Sequence, residues 1–341
     1  MTTQYVIDGL FLTQTVTGIQ RVAFEITKAL DKIVQDNELI ILAPNTELHA
    51  IDLNNIPIIK YGKNKGIAWE QIDYAYYLRK HRYKALCLTN VLPLLYMHGA
   101  IMIHDVSYKA NPQFFSNKRD RLSALWHRLN YYAASKSSMD ILTVSNFSKA
   151  EMLRYYHMDE SKVNVIYNAW QHMQHVQSAE DTFDRYPELI GKDYYFSMAS
   201  LAPNKNFNWI LEAAKHNPSV IFAIAGGGKM DNKGVENVRL LGYVTDEDAR
   251  TLMANCKAFI FPTFYEGFGL PPLEAISCGC NKIIVSDTAC MHEIYGEHAN
   301  YIDPFDSSKW IISDARKSAQ DLLRQFSWSE SAKKMADILM I

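Results

Sequence analysis

The sequence predicts an α/β protein built of two Rossmann-like halves, and three observations carry that prediction. A chain of 341 residues exceeds what one core usually fills, so two domains of about 170 residues are expected. Short apolar runs of the kind buried on both faces of a parallel sheet alternate with segments of helical spacing. The alternation also starts twice: a strand at 4–8 precedes a helix at 18–34, and a strand at 194–199 precedes a helix at 208–216.

Taken in order, 18–34 repeats Ile19, Val22, Ala23, Ile26, Ala29, Leu30 and Ile33 at helical spacing. The loop before it, GLFLTQTVTG, holds no G-x-G-x-x-G, so no dinucleotide cofactor is indicated. Strands follow at 39–43 and 56–61. Residues 67–84 set Trp69, Tyr74, Tyr76, Tyr77 and Tyr83 beside Arg79, Lys80, Arg82 and Lys84. That fits either a helix packing its rings with wet cations or an interfacial helix on a membrane. Strands at 85–89 and 100–104 come next, the second ending in His104-Asp105 at the ligand-binding edge of a parallel sheet. A basic helix over 117–138 carries Leu122, Leu125, Trp126 and Leu129 on one face. A strand at 140–144, a helix from Asn146 capped by Ser145, and a strand at 163–167 complete a first domain over 1–168. Residues 169–193 lack periodicity and are expected to be a linker.

The second domain, 194–327, restarts with a strand, the loop SLAPNKNF and a helix. A strand at 220–225 runs into Gly226-Gly227-Gly228, a turn that lets backbone approach a ligand. After a strand at 238–242, Thr245-Asp246-Glu247-Asp248 opens a helix. Its D-x-D is open to two readings, a divalent-metal site or, preferred, a capping box with acids in the first turn. The stretch AFIFPTFYEGFGLPPLEAISCGC then places a strand, a glycine-bearing loop and a helix start in succession. Pro271 and Pro272 suit that helix's first turn and Gly279 its end. Such a corner attracts anions and sugars. Glu266 lies in its loop and Glu274 in the first helical turn; taken singly, each also serves as a solvated or dipole-complementing charge. A final helix occupies 328–341.

The segment YEGFGLPPLEA resembles the two-glutamate signature of retaining glycosyltransferase family 4, which has the GT-B fold. The resemblance implies two Rossmann-like domains facing across a cleft and a C-terminal helix crossing back to the first. It implies that Glu274 holds the ribose of a nucleotide-sugar donor, while Glu266 and the loop of Gly267, Phe268, Gly269 and Leu270 hold the transferred sugar. Gly18 is similar to the family's diphosphate-approaching glycine, with Thr17 in place of a first glycine. His104 is similar to its sugar-side histidine and Lys205 to its diphosphate lysine, with Ser200 where an arginine usually stands. Catalytic roles thus fall on Glu266, His104 and Lys205, and Arg21, Asp105, Ser200 and Val244 are further candidates. Cys280 and Asn281 after Gly279 depart from the family's Gly-x-Pro, which leaves that turn's geometry open.

FYEGFGLPPLEA and Trp69-Glu70-Gln71 look like segments of bacterial mannosyltransferases of surface polysaccharide synthesis. That implies GDP-mannose as donor, with UDP- or dTDP-sugars as alternatives, and a glycan or polyprenyl-diphosphate-linked acceptor. No cofactor or metal is expected. Two rivals are weighed. A glycosidase sets its carboxylates on opposite walls of a cleft, whereas Glu266 and Glu274 share one loop and helix. A non-catalytic nucleotide-sugar-binding subunit is the second, and the full set of Glu266, Glu274, Lys205 and His104 speaks against it.

Composition narrows the class. With 48% hydrophobic and 21% charged residues the chain is an ordinary globular one. Residues 1–168 hold 19 Lys/Arg against 15 Asp/Glu, a balance of +4; 169–341 hold 16 against 22, or −6, and the two give the chain's −2. Nucleic-acid binding is not expected, while the positive half suits an anionic membrane or a phosphate-bearing acceptor. No signal peptide or membrane span is legible, so the expectation is a cytoplasmic protein at the inner face of the membrane. The five cysteines lack a second pair to complete a zinc site and are expected as free thiols.

Overall fold

The computed structural model describes residues 5–35, 38–308 and 317–341; Gln4, expected to open the first strand, lies outside them. The chain forms two compact units, 1–168 together with 328–341, and 169–327.

In the first unit, seven strands form one parallel sheet: β1 (Tyr5–Asp8), β2 (Leu39–Ala43), β3 (Ile58–Lys60), β4 (Lys84–Cys87), β5 (Gly99–Met102), β6 (Asp140–Thr143) and β7 (Val163–Val165). Their order is β3-β2-β1-β4-β5-β6-β7, so it reverses between β1 and β4, where Tyr5 pairs with Leu39 on one side and Lys84 on the other. The reversal opens a crevice at the carboxyl end. The helix Gly18–Asp31 buries Val22, Ala23, Ile26, Ala29 and Leu30 as its spacing predicts. The closing helix Trp328–Leu339 packs against it, burying Ala332, Met335, Ala336 and Leu339, and the Ser331 hydroxyl donates to the Tyr167 carbonyl at 2.6 Å. The expected return of the chain to its first unit is therefore present.

Segment 67–84 differs from its expected form. It is α-helical at Gly66–Ala68, π-helical over Trp69–Tyr74 and α-helical again over Ala75–His81. Arg82 then turns left-handed, φ 58°, because Lys84 already belongs to β4. Trp69 and Tyr74 are fully buried, and their polar ends are satisfied by the Tyr61 and Val6 carbonyls at 2.7 Å each. The Gln71 amide donates to the Leu92 carbonyl and accepts from the Leu94 N–H, both at 2.9 Å. Glu70 is buried against Asp8 at the end of β1, each about 1% exposed. Asp8 Oδ1 takes the Leu10 N–H at 2.9 Å. The buried oxygens Asp8 Oδ2 and Glu70 Oε1 have no hydrogen-bond partner among the described groups, and the two carboxyls are close enough to act on each other. Burial pushes both groups above the ordinary carboxyl range.

The basic helix Lys118–Lys136 buries Ala124, Asn130, Tyr131 and Ala134. Its opposite face carries Leu122, Leu125, Leu129 and Tyr132 exposed.

The second unit repeats the plan with β8 (Tyr194–Met198), β9 (Ile221–Ala225), β10 (Val238–Gly242), β11 (Ala258–Phe261), β12 (Ile283–Ser286) and β13 (Asn300–Ile302). All are parallel in the order β10-β9-β8-β11-β12-β13, reversing between β8 and β11. The expected linker 169–193 is instead part of this unit. It holds the short turns Gln171–Gln174, Thr182–Arg185 and Pro187–Leu189, each too brief to show helical periodicity. Gly226 is required by packing, since a Cβ there would come within 1.7 Å of the Ala199 carbonyl. All five cysteines are free thiols.

Candidate active site

The second unit's site stands at its topological switch point. One loop follows β8 and carries Ser200 to Lys205; the other follows β11 and carries Glu266 to Gly269. The loops are knitted together, since the Phe264 N–H donates to the Asn204 carbonyl at 2.8 Å and the Asn204 amide to the Tyr265 carbonyl at 3.4 Å. That seam sets Lys205 opposite Glu266, with Nζ to Oε1 at 2.8 Å. The ammonium also lies 5.4 Å from the centre of the Phe261 ring. Both side chains keep part of their surface in water, 28% and 14%. The residues assigned to the diphosphate and to the sugar are thus ion-paired with each other.

The helix Leu270–Ser277 starts from Gly269, whose φ of 82° and whose approach to Met291 exclude a side chain. Pro271 and Pro272 occupy its first turn, as the sequence indicates. Glu274 is the fifth residue, one turn further in than expected, so it is not a dipole-complementing charge of the first turn. Its Oε1 accepts from His172 Nε2 at 2.9 Å. Phe268 is buried with its ring edge-on to Phe326, so only the backbone of this loop residue is available to a ligand. Leu270 is likewise buried. The helix ends at Gly279, φ 103°, with the Gly279 and Cys280 N–H groups bonded to the Ile276 and Ala275 carbonyls at 3.0 Å. The turn therefore closes without a Gly-x-Pro.

Ser200 accepts the Ala202 N–H at 3.3 Å and is a turn-former in its own loop. Val244 is buried just before the helix Asp246–Asn255. The capping box expected there is half formed. The Thr245 hydroxyl accepts the Asp248 N–H at 3.1 Å, but the Asp248 carboxylate turns to the Thr182 hydroxyl at 2.7 Å and to Arg185. The former linker thus supplies its partners. Among the described residues, no group of three or more His, Cys, Asp or Glu side chains is arranged to hold a metal.

In the first unit, Gly18 opens the helix after β1, and a Cβ there would meet nothing within 4 Å, so the fold itself places no demand for glycine at that position. Arg21 is half-buried one turn on. His104 follows β5 and is buried. Its Nε2–H donates to the Leu88 carbonyl at 2.9 Å, and its backbone N–H donates to Asn90 Oδ1 at 2.8 Å. Burial pushes its pKa below the ordinary imidazole value, which keeps the ring neutral. Asp105 is spent locally, accepting the Ser107 N–H at 2.7 Å.

Two site residues escaped the sequence. His172 lies in the stretch read as linker, and Asn90, left-handed at φ 69°, shows no motif. Only an isolated Asn after an apolar strand hinted at the latter.

Comparison with known proteins identifies the family and the fold. Residues 16–170 match the family model described as Glycosyltransferase Family 4, and residues 179–335 match that of Glycosyl transferases group 1. The chain is 28% identical over 269 residues to O-antigen chain mannosyltransferase B of Escherichia coli, a match spanning 70% of this chain and 68% of that protein. It is 26% identical over 239 residues to O-antigen chain mannosyltransferase RfbU of Salmonella typhimurium, spanning 67% of this chain and 63% of the relative. Among solved structures, Anabaena Alr3699/HepE in complex with UDP and glucose superposes with a TM-score of 0.71 at 16% identity, covering 100% of both chains. WaaG, a glycosyltransferase involved in lipopolysaccharide biosynthesis, gives 0.63 at 14% identity, covering 98% of this chain and 95% of that one. At such identities these structures bear on the fold alone.

Proposed function

Because this chain belongs to family 4 of the glycosyltransferases and has their GT-B fold, we propose that it moves a hexose, with retention of anomeric configuration, from a nucleoside-diphosphate sugar to a growing surface polysaccharide. The donor in this reading is GDP-mannose, in keeping with the mannosyltransferases it resembles. The acceptor is a saccharide on a polyprenyl diphosphate carrier.

The observation that carries the reading is the crowding of two carboxylates, each with a nitrogen partner, at one switch point: Lys205 with Glu266 and His172 with Glu274. A bare carboxylate there would repel a diphosphate. With Lys205 beside it, Glu266 can accept sugar hydroxyls while the ammonium turns to the phosphate oxygens. Loop amides and the start of the helix Leu270–Ser277 add partial positive charge. In the transfer, the bond from the anomeric carbon to the diphosphate oxygen breaks. The acceptor hydroxyl forms its new bond on the same face, and its proton passes to the departing diphosphate. Within the first unit, burial keeps His104 neutral and the Leu88 carbonyl and Asn90 hold it in place, as suits the sugar-side role that its family resemblance implies.

Attachment to an anionic membrane belongs to the same reading. Its support is the net positive 1–168 half and the exposed row Leu122, Leu125, Leu129 and Tyr132, bracketed by Lys118, Arg119 and Arg121 at one end and Lys136 at the other. Such a helix lies in the headgroup layer. Among the described residues no helix is long and apolar enough to cross a membrane.

A thermal-shift screen across GDP-, UDP- and dTDP-sugars, followed by nucleoside diphosphate release with the best donor, tests the proposal. GDP-mannose should stabilise the protein most and should be turned over once a lipid-linked acceptor is added. Binding without release under every acceptor would point to a non-catalytic subunit.

A further inference from the structure

We propose that His172 positions the Glu274 carboxylate for the donor ribose, and so sets a preference for ribonucleotides over deoxyribonucleotides; this rests on the reading of Glu274 as the ribose ligand. His172 Nε2 donates to Glu274 Oε1 at 2.9 Å, with the two side chains 4% and 14% exposed. The imidazole sits in a turn of four residues, Gln171–Gln174, too short to persist by itself. Its neighbours hold it in place. The Trp170 indole donates to the Leu323 carbonyl at 2.9 Å, and the Gln171 amide to the Phe326 carbonyl at 2.9 Å. The Arg250 guanidinium donates to the Met173 carbonyl at 2.5 Å. Two anchors on the four-residue turn and a third on the residue before it fix the ring that reaches Glu274.

A free glutamate loses rotamer entropy each time it meets a ligand, and one already held by a buried donor does not. With Oε1 engaged by His172, Oε2 is the oxygen turned to the ribose. A carboxylate is acceptor-only, so it rewards a sugar with two adjacent hydroxyl donors and not one lacking the 2′-hydroxyl.

The test is the ratio of Kd for 2′-deoxy-GDP to Kd for GDP, measured by calorimetry on the full chain, with pyrophosphate as the probe lacking ribose. The wild type should prefer GDP by about tenfold, the size of one hydrogen bond to a charged group. His172→Ala and the bulk-retaining His172→Leu should bring the ratio near unity with pyrophosphate binding unchanged. His172→Gln, which keeps an N–H donor, should retain most of it. An unchanged ratio in whichever donor-less variant folds, or loss of the ratio in His172→Gln, overturns the proposal. Glu274→Gln separates the two levels. If it also leaves the ratio unchanged, the ribose reading itself fails; if it collapses the ratio while His172→Ala and His172→Leu do not, only the role of His172 fails.

Discussion

The two units share one sheet plan and handle the charges at its switch point in opposite ways. Between β8 and β11, Glu266 and Glu274 each meet a nitrogen partner and keep some contact with water. Between β1 and β4, Asp8 and Glu70 meet each other and are almost wholly dry. The first arrangement gives each carboxylate a nitrogen partner and leaves part of its surface open to hydroxyl donors. The second buries the two carboxyls together where the π-helical Trp69–Tyr74 turn meets the end of β1, and burial raises the pKa of both. Topology alone therefore does not make a ligand site; the site is where charge is compensated without being dehydrated.

The largest expected effect tests the open side of this comparison. Lys205→Ala and Glu266→Ala should each lower transfer by about 10²–10³-fold. Because each removes the other's partner, the double variant should lose less than the product of the two. Full multiplicativity in steady-state kinetics would mean that the pair seen at 2.8 Å plays no joint part in turnover. Lys205→Arg should retain part of the activity, and EDTA should leave it intact.

Next comes the division between the two glutamates. Glu274→Ala should weaken binding of the bare nucleoside diphosphate by about tenfold or more, whereas Glu266→Ala should spare that binding and damage only transfer. Equal losses of bare-diphosphate affinity would merge the two roles.

The closed side yields a smaller, pH-dependent effect. Burial raises the pKa of both Asp8 and Glu70. The pair's contribution to stability is therefore fully present below the ordinary carboxyl range and is lost as pH rises through the raised values, because ionising the buried pair is then forced or folding is lost. Glu70→Gln supplies an amide donor to an ionised Asp8. It should be neutral or slightly destabilising near pH 4 and stabilising by about 1–3 kcal/mol at pH 8. Urea unfolding from pH 4 to 8 reads this directly, and a difference that does not grow with pH would show that ionising the pair costs the fold nothing.

The last effect concerns the proposed membrane attachment. Reversing Arg79, Lys80, Arg82 and Lys84 should reduce co-sedimentation with anionic vesicles by about 1 kcal/mol per charge at low salt. Leu125→Glu should reduce it at high salt as well, because it removes apolar contact. If neither changes sedimentation, the exposed leucine row is ordinary surface.

The sequence by itself determined much of this protein. Apolar periodicity marked the strands of both sheets and the helix Gly18–Asp31, because parallel strands and amphipathic helices write burial into every second or fourth residue. The glycine-bearing loop and the paired prolines marked the turn from β11 into the helix Leu270–Ser277, because only those residues serve its backbone. The tertiary structure alone decided the partners of the charges. Nothing in the spacing joins Lys205 to Glu266 across 61 positions, or His172 to Glu274 across 102. Nor does it bring Glu70 to Asp8, or turn Leu122, Leu125 and Leu129 outward, because a helical row reads the same whether it meets a core or a membrane. Local pattern records how wet each residue should be; which groups meet at a sheet's reversal is set by strand order, and strand order is a property of the whole chain.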